Sequence, residues 1–286
     1  MPIVRLSTKV IAAACVLALF LFLWQQAKPA VVAVAYDVFD QVRDVRSQLL
    51  RSEPWEDIKP LSSTQNWSVD WRNMIDPSKG VGHALGGRFQ PDENSVFAYD
   101  ASVKAGFRLL EVDLWLSPAG SLYCAHDIPS QFEPSHSFEL FENLLARAQA
   151  DNVFLIIDFK QDASIVVPAV LSIARKLGAE RNTVFQIYHD KDLSYLVQEA
   201  QKQGGFGLPI VTTYKSHHSP RYLADQVKRI GLGGLVVHES RLNQIVDRID
   251  NLTVFTHPVL SCLDFLRSPK GTIPFVNRNL NCPLEN

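Results

Sequence analysis

The chain offers little to nucleic acid, zinc or a dinucleotide. Its 28 Lys and Arg against 30 Asp and Glu leave a formal charge of −2, so it carries no basic footprint for a polyanion. Cysteine is scarce, with four in 286 residues, and no CxxC or Cys/His zinc spacing occurs. The glycines of GHALGG (82–87) lack the spacing of a dinucleotide-binding turn, which argues against a nucleotide-binding fold. No internal repeat or low-complexity tract is present, so the chain is not a repeat array.

What is there suits a globular protein with a substantial core: 47% hydrophobic and 20% charged residues. The first segment stands apart. Val10–Trp24 (VIAAACVLALFLFLW) is uninterrupted and apolar, follows Arg5 and Lys9, and approaches the about 20 residues of a spanning helix. The expectation is a membrane-anchor helix within residues 1–35, its basic flank inside and the remainder outside the cytoplasm, periplasmic or extracellular. Cleavage near Ala33-Val34-Ala35, giving a secreted protein, is the alternative. Export would permit a Cys262–Cys282 disulfide, with unpaired Cys124, Cys262 and Cys282 as the other reading. Residues 36–79 read as linker and irregular lead-in: an amphipathic pattern first, then Pro- and Ser-containing sequence.

From residue 80 to 286, short apolar runs alternate with helix-like stretches. RLLEVDLWL, NVFLIIDF, TVFQIY, LPIVTTY, GGLVVH and LTVFTH read as strands; Ser95 caps a helix ending at Gly106. The runs do not strictly alternate polar with apolar, as expected of strands covered on both faces. The leading architecture is α/β, a TIM (β/α)8-type barrel, ahead of an open doubly wound sheet.

Polar residues gather at the ends of the first strands. His83 ends one, Glu111 and Asp113 lie near the end of the next, and His126-Asp127 follows a short turn. Asp158 and Lys160 end the third. In a parallel barrel these ends share one rim, and residues two apart on a strand point to one face. Three carboxylates converging there repel one another unless a cation sits among them; all-oxygen ligands point to Mg²⁺ or Ca²⁺. Two imidazoles nearby can give and take protons near neutral pH, and Lys160 can hold a phosphate oxygen. That set suits phosphodiester cleavage. The remaining histidines, His217, His218 and His257, read as loop residues; His238-Glu239 ends a strand and could face the rim.

The stretch GHALGGRFQPDENSVFAYDASVKAGFRLLEVDLWLSPAGSLYCAHD resembles the N-terminal signature of the glycerophosphodiester phosphodiesterase family, within the phospholipase-C-like barrels. That signature reads His-Arg-Gly, Glu-Asn-Thr, a helix ending in Gly, Glu-x-Asp, a turn and His-Asp. Here His83, Glu93-Asn94-Ser95, Glu111/Asp113 and His126-Asp127 fall in order, and IIDFK resembles the later Glu-x-Lys. The resemblance covers roughly residues 80–160, with VFTHPV a faint echo of a late strand. It implies a metal held by Glu111, Asp113 and Asp158, His83 and His126 as the acid/base pair, and Asn94 at or near the metal. Glu93, Asn94, Arg88 and Lys160 are then the expected substrate-binding residues. Three departures stand out. Ala84 replaces the arginine, Asp158 replaces a longer Glu, and only 27 residues (128–154) separate Asp127 from Leu155, which suggests a more open mouth. The implied activity is metal-dependent hydrolysis of a glycerophosphodiester or related phospholipid-derived diester. Formation of a cyclic phosphate, or a degenerate barrel kept as an exported binding module, are the alternatives.

Overall fold

The computed structural model describes residues 55–61, 70–88, 90–126, 138–203, 205–214, 216, 218–259 and 261–280. Eight strands run parallel: β1 (Val81–Gly82), β2 (Leu109–Leu116), β4 (Phe154–Phe159), β5 (Thr183–Ile187), β6 (Gly207–Thr212), β7 (Gly234–His238), β8 (Val254–His257) and β9 (Thr272–Val276). Each pairs with the next, and β1 pairs with both β2 and β9, so the sheet closes into a barrel. Strand β3 (Leu122–Cys124) is an addition, folded back antiparallel on the end of β2.

Helices α1 (Val96–Lys104), α2 (Phe141–Asp151), α3 (Ala163–Leu177), α4 (Asp190–Gln203), α5 (Pro220–Ile230) and α6 (Cys262–Arg267) connect the strands. Their ends carry local signals. Ser95 Oγ accepts the Ala98 N–H at 3.1 Å, and Ser219 caps α5 with Pro220 in its first turn. Gly178 and Gly231 end α3 and α5 in the left-handed conformation.

The strand period of two sorts side chains into two cores. Leu110, Val112 and Leu114 of β2, and Leu155, Ile157 and Phe159 of β4, pack outward in the core shared with the helices. The alternate residues, Leu109 and Phe154 with Val81, Val184, Ile210, Val236, Phe255 and Phe275, fill the barrel interior. Continuing the inward rows toward the strand C-termini reaches Glu111 and Asp113, Asp158, Gln186, Thr212 and His257. The barrel is therefore apolar in its lower layers and polar at the top.

Trp71 closes the lower end. It is 0% exposed, and its indole Nε1–H donates to the Leu208 carbonyl at 2.8 Å. Gly207 and Gly233 make room for it: a Cβ there would meet the indole at 3.2 and 2.9 Å. The described parts of the lead-in thus pack as irregular structure, with Trp55 also buried and its carbonyl bonded to Arg229.

Among the described residues no helix is long and apolar enough to cross a membrane, and the anchor expected in residues 1–35 lies outside them. Cys262 is disulfide-bonded; Cys282, its expected partner, also lies outside the described residues. Cys124 is free and buried. Trp71→Ala should remove the plug and the indole bond to the Leu208 carbonyl, lowering unfolding stability by about 3–5 kcal/mol in a denaturant titration.

Candidate active site

Strand β1 ends directly in a tight turn. Ala84 and Leu85 adopt φ values of 49° and 60°, in the left-handed region that non-glycine residues rarely occupy. The turn aims the Ala84 N–H at Glu111 Oε2, 2.6 Å away. Ser102 Oγ donates to the Leu85 carbonyl at 2.7 Å, and the Arg278 N–H and guanidinium both donate to the Gly86 carbonyl. Arg278 also binds Asp92 at 2.6 Å, fastening both ends of the loop. Strain held by so many bonds is typical of a built site.

Asn94, buried at φ 57°, faces Asp113 with both ends of its amide. Its Nδ2–H donates to Asp113 Oδ2 at 2.8 Å, and its Oδ1 accepts the Asp113 backbone N–H at 3.1 Å. The register of β2 against β4 sets Asp113 beside Asp158. Lys160 Nζ lies between them, 2.5 Å from Asp113 Oδ1 and 2.6 Å from Asp158 Oδ2. Tyr188 Oη donates to Asp158 Oδ1 at 2.5 Å and accepts from Gln186 Nε2 at 3.1 Å.

One oxygen from each of Glu111, Asp113 and Asp158 lies within 4.8 Å of the others, and all three groups are buried. Burial, then the neighbouring Asp113 and Asp158 charges, push the Glu111 carboxyl well above its usual range. Burial works against the Asp113 charge too, but Lys160 and Asn94 outweigh it and hold that carboxyl low. Asp158 is pushed up by burial in spite of Lys160. Lys160 is held firmly charged, because the three carboxylates overcome the effect of burial. Three carboxylates against one ammonium leave two negative charges unbalanced. One hard divalent ion matches that deficit, the oxygen-only donor set and the spacing, so the residues fit Mg²⁺ or Ca²⁺.

A cavity of about 420 Å³ opens at the top of the barrel. Its lining includes His83, Glu111, Asp113, His126, Asp158 and Lys160, anticipated at or just beyond the strand ends, and Arg88, anticipated through the family resemblance. The substrate-binding expectations need adjustment. The Lys160 ammonium is committed to two carboxylates, Glu93 pairs with Arg88 Nη1 at 3.1 Å outside the cavity lining, and Asn94 stands behind Asp113. Arg88 also lines the cavity, with its Nη1 paired to Glu93. Trp115 Nε1–H donates to the His126 carbonyl at 3.2 Å, tying the post-β3 segment to β2. Asp127 lies outside the described residues.

Reading His257 as a loop histidine was incorrect. It ends β8, lines the cavity, and its Nε2 is 3.1 Å from His83 Nε2. The signal was available in VFTH, an apolar run ending in histidine like the other strand ends. Tyr188, Gln186, Thr212 and Tyr214 also line the cavity and were not anticipated, because each follows an apolar run with no charge to mark it. His238 bonds Ser240 Oγ at 2.8 Å and does not join the lining; His218 stacks on Tyr222, with ring centroids 4.3 Å apart. His217 is outside the described residues. Burial, helped by Arg88, Lys160 and His126, depresses His83 to about 3, and burial followed by His83 depresses His257 well below the usual imidazole range. Both shifts favour the neutral ring.

No family model and no curated protein matches the chain by sequence. Solved structures do match by shape. A glycerophosphodiester phosphodiesterase from Thermotoga maritima aligns over 69% of this chain and 93% of its own, at 16% identity and a TM-score of 0.54. One from Parabacteroides distasonis aligns over 68% and 92%, at 16% identity and 0.53. A phosphodiesterase from Oleispira antarctica, in complex with the product sn-glycerol-3-phosphate, aligns over 72% and 94%, at 12% identity and 0.56. At these identities the shared property is the (β/α)8 barrel.

Asn94→Ala should free Asp113 to rotate and weaken Mg²⁺ or Ca²⁺ binding by roughly 10–100-fold in calorimetry, with the barrel still folded.

Proposed function

We propose that the chain is a metal-dependent phosphodiesterase that hydrolyses a glycerophosphodiester or a related phospholipid-derived diester. One observation carries the reading: a buried carboxylate trio shares its cavity with three histidines and an arginine. Glu111, Asp113 and Asp158 would hold the ion, which supplies Lewis-acid polarisation of a phosphoryl oxygen when bound. Lys160 pairs with both Asp113 and Asp158, fixing their direction, and helps hold Asp113 ionised. Arg88 supplies a cation to the phosphate, taking the place that Ala84 leaves without one. His83 and His126 serve as the acid/base pair, one accepting the proton of the attacking oxygen, the other protonating the departing alkoxide.

The cavity suits this substrate class. At about 420 Å³ it lies in the ordinary range for small-molecule sites, and Val236, Pro258 and Phe275 give its wall apolar surface for the glycerol carbons. The product complex of the Oleispira antarctica phosphodiesterase, built on the same barrel, supports a glycerol-phosphate substrate. Purified protein with Mg²⁺ or Ca²⁺ should release a phosphomonoester from glycerophosphocholine. His126→Ala should lower kcat about 10²–10⁴-fold; unchanged kcat would remove the residue from the mechanism. A cyclic phosphate in the phosphorus NMR spectrum of the products would replace hydrolysis by cyclising transfer.

The location proposed for this activity is a membrane surface outside the cytoplasm, with Val10–Trp24 as the tether. Cell fractionation should find the full chain with membranes, and deletion of residues 1–35 should move it to the soluble fraction. An unaltered distribution would refute the tether.

A further inference from the structure

His83 has a partner that the acid/base pair does not account for. Its Nε2 faces His257 Nε2 at 3.1 Å, and one of these nitrogens must donate while the other accepts. The next bonds decide which. Tyr214 Oη–H donates to the His257 carbonyl oxygen at 2.7 Å. A phenol has a single proton, so the same Oη, 2.9 Å from His257 Nδ1, can only accept there. His257 therefore carries its proton on Nδ1. Its Nε2 is a bare acceptor, and the hydrogen between the two rings belongs to His83 Nε2.

We propose that His257 and Tyr214 are positioning residues that lock His83 in the Nε2–H tautomer, making His83 the base of the pair through Nδ1. The assignment of acid and base rests on the phosphodiesterase reading; the tautomer assignment rests on the three distances alone. In the reaction the attacking water forms the new O–P bond and loses its proton to His83 Nδ1. Nε2–H keeps its bond to His257, whose lone pair stabilises the resulting imidazolium. The P–O bond to the leaving group breaks, and His126 protonates that oxygen. The arrangement is a base steered by a second group that is itself held by a third. The residues doing this come from the turn after β1, the end of β8 and the segment after β6, all at one end of the barrel.

Nitrogen-15 NMR of the full chain labelled at histidine, with His83 identified by its loss in His83→Gln, reads the tautomer directly. The expected spectrum shows His83 protonated at Nε2, and Tyr214→Phe should shift it toward a mixture. Kinetics on glycerophosphocholine supply the second readout. His257→Gln keeps an acceptor near the Nε2 position and should hold kcat within about 5-fold, whereas His257→Leu should lower kcat at least about 30-fold. In both variants KM and the calorimetric metal affinity should stay within about 3-fold. An Nδ1–H signature for His83 in the unaltered protein, or equal losses of kcat in the Gln and Leu variants, would overturn the proposal. If the protein shows the Nε2–H signature but turns over no diester, the functional reading fails while the tautomer assignment stands.

Discussion

Three buried carboxylates held within one small volume set the terms for everything around them. Carboxylates at such spacing cannot all stay ionised in a low-dielectric interior without compensating cations. Lys160 supplies one positive charge inside the protein, fewer than the three carboxyl groups would need if all were ionised, and the trio is so placed that it could hold a metal ion. The strained turn after β1, the Asn94 amide clamp and the Tyr188 hydroxyl all serve that cluster, each donating to one of its oxygens. Lower in the barrel there are no such charges. Leu109, Phe154, Phe255 and Trp71 provide the rigid apolar floor on which the polar layer sits.

The barrel converts strand periodicity into chemistry. Because inward residues recur every second position, a strand that buries Leu109 below must direct Glu111 and Asp113 into the same interior above. The same relation carries Phe154 up to Asp158, Phe255 to His257 and Ile210 to Thr212. One register sets Asp113 against Asp158, so a one-residue slip in β2 or β4 would move a carboxylate from the interior to the helix-facing core. Site and fold are therefore specified by the same hydrogen bonds. The likeness to solved phosphodiesterase barrels at 12–16% identity fits this view, since the architecture persists where most side chains differ.

Much of the site was legible because charge inside an apolar run is conspicuous. Glu111, Asp113, Asp158 and Lys160 interrupt strands that otherwise read as core, and His83 and His126 fall at the matching ends. What escaped was uncharged or far away in sequence. Tyr188 and Tyr214 look like ordinary aromatics at the ends of apolar runs, and His257 lies 174 positions from His83. Lys160, Asp113 and Asp158 were all visible, but not that both carboxylates would share the one buried ammonium.

The residue order alone pointed to the alternation of strands and helices, to a parallel barrel ahead of an open sheet, and to the acidic trio with its flanking histidines. Those follow from periodicity and from the electrostatics of like charges, both of which act locally or between neighbouring strands. Only the closed barrel decided which imidazole faces which, and that Tyr214 directs the proton between His83 and His257. Closure pairs β1 with β9, the two ends of the domain, which brings His83 within reach of His257 at the end of β8, and hydrogen-bond direction exists only once those atoms stand within 3 Å or so of one another.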